Sequence, residues 1–262
     1  MAEPRATAID LNADVGEGFD DAPLYPFLSS VNVACGGHAG DEHSMARTVT
    51  QAAAAGLAIG AHPSFADRPG FGRRVTTTDA EEIAELVAEQ TRALAAIADA
   101  QGAVLAHVKP HGALYNLSAS DSTIADAIAR AVHGLGLGLA LVGLAGSASL
   151  TAARARGLVA VAEGFVDRGY QVDGALIPRS EPGALIEEPE AAAVRAVALA
   201  RGSDIATPTG ATLRLSPDTL CLHGDTPGAV PIAAAVYAGL RRAGIRVEPT
   251  GLSFGGYPPK SS

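Results

Sequence analysis

The chain has no tryptophan, two cysteines, two methionines and only 4% aromatic residues in 262 positions. A core without large rings must be filled by aliphatic and small side chains, and 48% of the residues are hydrophobic, with 30 glycines. That composition suits an α/β protein in which small-residue helices pack on a sheet. The two thiols, Cys35 and Cys221, fit a reduced cytoplasmic chain better than a disulfide framework, and both are expected to be free. Basic runs are absent and the formal net charge is −9, so phosphate-backbone binding is disfavoured and no nucleic-acid partner is expected. The longest apolar stretch, residues 134–146, is glycine-rich and shorter than the roughly 18 residues of a membrane span. The first residues lack the basic start and apolar h-region of a signal peptide. A cytoplasmic protein with no membrane association is expected. No Gly-Lys-Ser/Thr phosphate loop occurs, and the glycines at 134, 136 and 138 precede a strand instead of following one, which fails the dinucleotide context.

Lysine is equally scarce. Of 19 basic residues only Lys109 and Lys260 are lysines. Lys109 lies in the stretch His107-Val108-Lys109-Pro110-His111, at the end of an apolar run beginning at Ala103. Alternation predicts a strand with Leu105, His107 and Lys109 on one face and Val104, Ala106 and Val108 on the other, stopped by Pro110. A compact ammonium flanked by two imidazoles at a strand end points to a site.

The rest of the chain repeats the order strand, polar residue, loop, helix. Residues 7–14 read as a strand with Asp10, Asn12 and Asp14 on one face, followed by the tight Gly16-Glu17-Gly18 loop. Residues 30–35 form a second strand leading into Gly36-Gly37-His38, with Asp41 as the N-cap of a helix that Gly56 ends. Residues 57–61 form a third, with His62 at its end. The loop that follows carries Gly70-Phe71-Gly72-Arg73-Arg74, whose arginines could fork onto a carboxylate or phosphate. Thr78 to Glu81 reads as a capping box opening a helix that runs to Gly102. Further helices are expected at 121–133, 189–201 and 231–243, and strands at 137–144, 158–162 and 219–222, with 207–215 as a short strand pair. Glu163 and Asp167 follow one of these strands. Cys221, His223 and Asp225 share a face of the last.

Polar residues thus collect beyond strand C-termini: Asp14, His38, His62, Lys109, His111, Glu163 and His223. A (β/α) barrel assembles its site from that rim, whereas an open doubly wound sheet gathers residues mainly at its switch point. About seven strands and no linker predict a single α/β barrel domain over residues 1–248. Residues 249–262, rich in Gly, Pro and Ser, are expected to form a loosely attached tail.

The segments Asp10-Leu11-Asn12-Ala13-Asp14-Val15-Gly16-Glu17, Asn32-Val33-Ala34-Cys35-Gly36-Gly37-His38-Ala39-Gly40-Asp41, Gly60-Ala61-His62-Pro63-Ser64, Gly70-Phe71-Gly72-Arg73, His107 to Asn116, and Cys221-Leu222-His223-Gly224-Asp225 together resemble the LamB/YcsF family. The likeness covers about residues 8–245. It implies a single-domain distorted seven-stranded barrel, similar to polysaccharide deacetylases. It also implies ATP-dependent opening of the 5-oxoproline lactam to L-glutamate with two partner subunits, of B and C type, and ATP shared with them. One departure is Gly37, which stands where the family commonly carries a bulky residue and implies a locally wider pocket.

Lactam opening needs a base for water, a donor or cation for developing negative charge, and an acid for the nitrogen. Asp14 or His62 is expected as base, Lys109 with His107 or His111 for negative charge, and Arg73 for the substrate carboxylate. Asn12, His38, Tyr115, Glu163, His223 and Asp225 complete the expected binding residues. Two alternatives stay open. A metal-dependent deacetylase or amidohydrolase would use His38, His107 and His111 near Asp14 as ligands, though spacing does not decide whether any metal binds. A non-catalytic substrate-binding protein would present the same rim.

Overall fold

The computed structural model describes residues 7–249, so the expected tail lies, beyond its first residue, outside the described residues. Strands β1 (Ala8–Val15), β2 (Ser30–Ala34), β3 (Ala58–His62), β4 (Leu105–Val108), β5 (Ala140–Leu144) and β6 (Ala160–Phe165) run parallel side by side. A short antiparallel pair, β7 (Asp204–Ala206) with β8 (Thr212–Arg214), stands apart from them, so only its second strand falls within the expected 207–215 stretch. Strand β9 (Thr219–His223) then pairs in parallel with both β6 and β1 and closes a seven-stranded barrel. A two-residue strand, β10 (Arg246–Val247), pairs with the lower end of β1. Helices α1 (Glu42–Ala54), α2 (Ala80–Ala100), α3 (Gly112–Ser120), α4 (Ser122–Gly134), α5 (Ala148–Ala155), α6 (Pro189–Ala200) and α7 (Ala229–Arg242) occupy the connections. None of the described helices is long and apolar enough to cross a membrane.

Alternation sorts each strand between two cores. In β1, Ile9, Leu11, Ala13 and Val15 join the large apolar cluster shared with the helices, while Asp10, Asn12 and Asp14 are hydrogen-bonded to groups on other barrel strands, Ser30, Asn32 and Thr219. Small and medium side chains, Ala58, Ala106, Ala140, Val142 and Val161, form a second cluster across β3 to β6. The barrel interior therefore has an apolar side, across β3 to β6, and a polar side built on β1 and its neighbours. Both cysteines are buried and free.

Helix ends follow local chemistry. Asp41 caps α1 through a reciprocal pair, its carboxylate accepting from the Ser44 amide while the Ser44 hydroxyl accepts from the Asp41 amide, and Gly56 supplies the left-handed exit (φ 67°). At α2 the cap is Asp79, not Thr78, because its carboxylate accepts from the amides of both Glu81 and Glu82. Strand β5 starts at Ala140 and not at 137, since Gly136 and Gly138 both turn the chain with positive φ. Helix α3 is not among the expected elements. It begins two residues beyond Pro110, with Gly112 at φ 55° packed so closely that a Cβ there would lie 2.6 Å from the Gly72 carbonyl oxygen.

The expected two-face pattern of β4 fails at one point. Ile59 pairs with Leu105 but Gly60 pairs with His107, so Ala106 is an extra residue in a β-bulge. Leu105 accordingly packs toward the helices, and Ala106 and His107 both join the interior.

Candidate active site

The polar side of the interior rises in three levels along β1. At the floor, Asp10 accepts hydrogen bonds from the hydroxyls of Ser29, Ser30 and Thr219 at 2.5–2.7 Å. Burial raises its pKa to about 6 despite those bonds. At the middle level, Asn12 donates to Glu163 (3.0 Å) and Thr219 (2.7 Å) and accepts from Asn32 (2.8 Å). His107 Nε2 lies 2.7 Å from the Asn32 amide oxygen, which can only accept. The bulge makes that contact feasible, because Gly60 leaves the space that the His107 ring fills.

At the top level, Lys109 Nζ reaches Asp14 Oδ1 (2.9 Å), Glu163 Oε1 (3.0 Å) and Cys221 Sγ (3.1 Å). Its donors are thereby spent on its neighbours. Burial alone would lower the Lys109 pKa, but Asp14, Cys221 and Glu163 outweigh it and hold it well above the ordinary value. Burial likewise pushes Asp14 up, yet His62 and Lys109 together hold it well below the usual carboxylate range.

Above this layer four groups converge. His62 Nε2 lies 3.2 Å from Asp14 Oδ2 and 3.0 Å from His111 Nδ1, and Glu17 Oε1 lies 3.3 Å from His111 Nδ1 and 3.9 Å from His62 Nε2. The outer nitrogens are held by carbonyls: His62 Nδ1 donates to Lys109 O (2.6 Å) and His111 Nε2 to Phe71 O (2.9 Å). Phe71 has φ 55°, unusual for a bulky residue, and this backbone turn presents its carbonyl to the imidazole. His38 stacks on His111 with ring centroids 3.6 Å apart, and its Nε2 contacts Glu17 Oε1 at 2.7 Å. Burial lowers the His38 and His107 pKa values to about 3 and drives His111 well below its ordinary value, so these three rings are neutral at pH 7. Burial and the Asp14 charge raise Glu17 to about 7.

A cavity of about 620 Å³ opens over this cluster, within the range of small-molecule sites. Its wall includes Asp14, Glu17, His62, Lys109, His111, Tyr115, Arg73, His223 and Asp225. Asn12, His38, His107 and Glu163 do not line it; they form the layer beneath and behind that holds the lining residues. Arg73 is engaged by Asp225 at 2.5 Å, and Arg179 shares the same carboxylate at 3.3 Å. Arg74 is bound by Asp67. His223 is oriented by Asp167, which it meets at 3.0 Å, and its ring lies nearly parallel to that of Phe165. Gly37 does not widen the cavity: a Cβ there would lie 2.7 Å from the Ser64 carbonyl oxygen and 2.9 Å from Gln90 Oε1, so Ser64 and Gln90 already fill the space.

Three site residues, Glu17, Arg168 and Arg179, are absent from the set expected on sequence grounds. Glu17 has one sequence signal, its place between the two glycines of a tight loop. Arg168 is 7% exposed, donates to the carbonyls of Ala184 and Ile177, and lines the cavity. Among the described residues no carboxylate forms an ion pair with it. Burial first, then Arg179, lower its pKa to about 10, which still leaves it cationic at neutral pH.

A closed parallel (β/α) barrel with a carboxylate and imidazole cluster under a cavity at the strands' C-terminal ends defines the class: a barrel built like an enzyme of that architecture. Within that class the chain belongs to the LamB/YcsF family, whose profile matches residues 9–253. It is 49% identical over 247 residues to the A-type subunit of 5-oxoprolinase from Chloroflexus aggregans, covering 92% of this chain and 98% of that protein. Against the corresponding 5-oxoprolinase chain of Bordetella pertussis the identity is 47% over the same shares. The crystal structure of a lactam utilization protein from Thermus thermophilus superposes with a TM-score of 0.86 at 42% identity, over 92% of this chain and 99% of that one.

Proposed function

We propose that this chain is the component of an ATP-dependent 5-oxoprolinase at which the 5-oxoproline lactam is opened to L-glutamate, together with two further subunits of B and C type. The observation that carries the reading is a cavity of small-molecule size whose floor is an acid–base cluster and whose wall holds a buried arginine without a carboxylate partner among the described residues. The near full-length likeness to proteins named as 5-oxoprolinase components supports 5-oxoproline as the substrate.

A lactam resists hydrolysis because its carbonyl is resonance-stabilised and its nitrogen is a poor leaving group. Transfer of the terminal phosphoryl group of ATP to the amide oxygen removes that resonance. Water then adds to the activated carbon, the ring C–N bond breaks as the nitrogen takes a proton, and a second water releases phosphate from the resulting acyl phosphate. ATP is shared with the partner subunits in this reading, and no Gly-Lys-Ser/Thr loop of this chain contributes to holding it. In this chain the cluster of Asp14, Glu17, His62 and His111 takes the water proton and returns one to the nitrogen. Lys109 keeps Asp14 ionised and in place. Arg168, not Arg73, receives the substrate carboxylate, with Arg179 beside it.

The test is glutamate and phosphate release from 5-oxoproline and ATP by the chain alone, by the partner subunits alone and by the mixture. Turnover is expected from the mixture only. Asp14→Asn should lower its kcat by about 10²-fold or more, and Arg168→Met should raise KM for 5-oxoproline. Full turnover by the partners without this chain, or by a mixture carrying both substitutions, would overturn the assignment.

A further inference from the structure

We propose that Asp14 Oδ2, Glu17 Oε1, His62 Nε2 and His111 Nδ1 form a binding site for one divalent transition-metal cation, Zn²⁺ by preference. The first argument is donor accounting. His62 and His111 each give one ring proton to a backbone carbonyl, Lys109 O and Phe71 O. With that proton given away, an imidazole in its neutral form offers a lone pair on its other nitrogen, and the two such nitrogens face each other at 3.0 Å. Two carboxylate oxygens complete the set, so four atoms able to serve as acceptors meet in one place. Such an arrangement calls for a positive centre.

The second argument is size. Ligands at about 2.0–2.1 Å from a tetrahedral Zn²⁺ stand about 3.3 Å from one another. The separations here are 3.0, 3.2, 3.3 and 3.9 Å, and all four atoms lie within 4.8 Å of each other. The third is the outer shell. Metal-binding imidazoles usually donate their other N–H to a carbonyl or carboxylate, and ligating carboxylates are themselves hydrogen-bonded. Both imidazoles here do the former, while Asp14 Oδ1 accepts from Lys109 and Asn32 and Glu17 Oε1 contacts His38. Charge fits as well, since Asp14 and Glu163 share one ammonium, that of Lys109, while among the described residues Glu17 meets only imidazoles. All four ligands line the cavity, which gives an ion its way in. Two imidazoles with two carboxylates favour Zn²⁺ over Mg²⁺ or Ca²⁺, which take oxygen ligands. The ligand set differs from the one sequence spacing offered, because His107 is committed to Asn32 and His38 to Glu17 and Ser64.

The inference rests on the proposed lactam site and gives its four acid–base groups a different task when an ion is bound, holding it in place of carrying the water proton, yet it is tested without lactam or ATP. Full-length chain carrying no histidine tag is analysed for metal as purified, then stripped with chelator and titrated with Co²⁺, followed by its visible ligand-field bands and displaced by Zn²⁺. About one ion per chain is expected. His111→Ala and Glu17→Gln should each weaken Co²⁺ binding at least about 10-fold, the lower bound for loss of even an outer partner. His43→Ala, at an exposed position, should leave it unchanged. Circular dichroism checks that the variants are folded, and the wild-type titration decides the matter even where they are not. Absence of metal as purified together with no Co²⁺ uptake by the wild-type chain would overturn the site, as would uptake indifferent to both substitutions. Either result leaves the lactam reading standing. A chain that binds the ion and fails to support 5-oxoproline opening would remove that reading and keep the site.

Discussion

Lys109 holds two buried carboxylates at once, Asp14 at 2.9 Å and Glu163 at 3.0 Å, 95 residues upstream and 54 downstream in the chain. Removing one member of a buried ion cluster leaves the others charged and unpaired, which costs about 3–5 kcal/mol. Lys109→Met should therefore unfold in denaturant with a stability lower by that order, and the loss should exceed anything explained by the matched side-chain volume. Asp10 makes a different statement about the same interior. Its pKa is raised from 3.8 to about 6, so the folded state holds its proton more tightly than the unfolded chain. The stability this contributes is complete below about pH 4 and is lost as pH rises through about 6. In a urea titration at several pH values, Asp10→Asn should flatten the decline in stability between pH 4 and 6. A slope unchanged by the substitution would place that decline elsewhere.

At the scale of elements, the bulge in β4 is what aims His107. Gly60, opposite it, has no side chain because the His107 ring occupies the place of its Cβ, with Cε1 at 2.5 Å. Gly60→Ala should force that ring or the strand to move and cost about 1–3 kcal/mol, the range for overpacking a filled core. A thermal melt compared with that of Ala61→Gly distinguishes crowding from backbone entropy. Elements that depend on a single segment are legible in the chain itself: the two faces of β1, the Asp41 cap and the Gly56 exit of α1 all carry their determinants within a few residues. The bulge is not, because an extra residue in β4 exists only relative to β3. Helix α3 escapes sequence reading for a related reason, since its first turn is fixed by the distant Gly72 carbonyl accepting from Ala113.

For the whole molecule, polar residues at many strand ends suffice to favour a closed barrel, because no other α/β arrangement brings so many ends together. The membership of the rim is legible for the same reason. Depth is not: Glu163 and His107 carry the same chemistry as Asp14 and His62, yet neither lines the cavity. Arg73 and Arg168 show the converse, since sequence cannot say which arginine already has a carboxylate partner. The middle level of the interior also has an orientation. The Asn32 oxygen can only accept, so His107 Nε2 must donate to it; Asn32 donates to Asn12 and Asp14, and Asn12 to Glu163 and Thr219, whose hydroxyl in turn donates to Asp10. Every link thus points the same way, from one imidazole toward three carboxyl groups, and no amide can be turned over without breaking the links on both sides of it. The barrel's interior is wired in one direction, and the tautomer of a histidine on the fourth strand is dictated from the second.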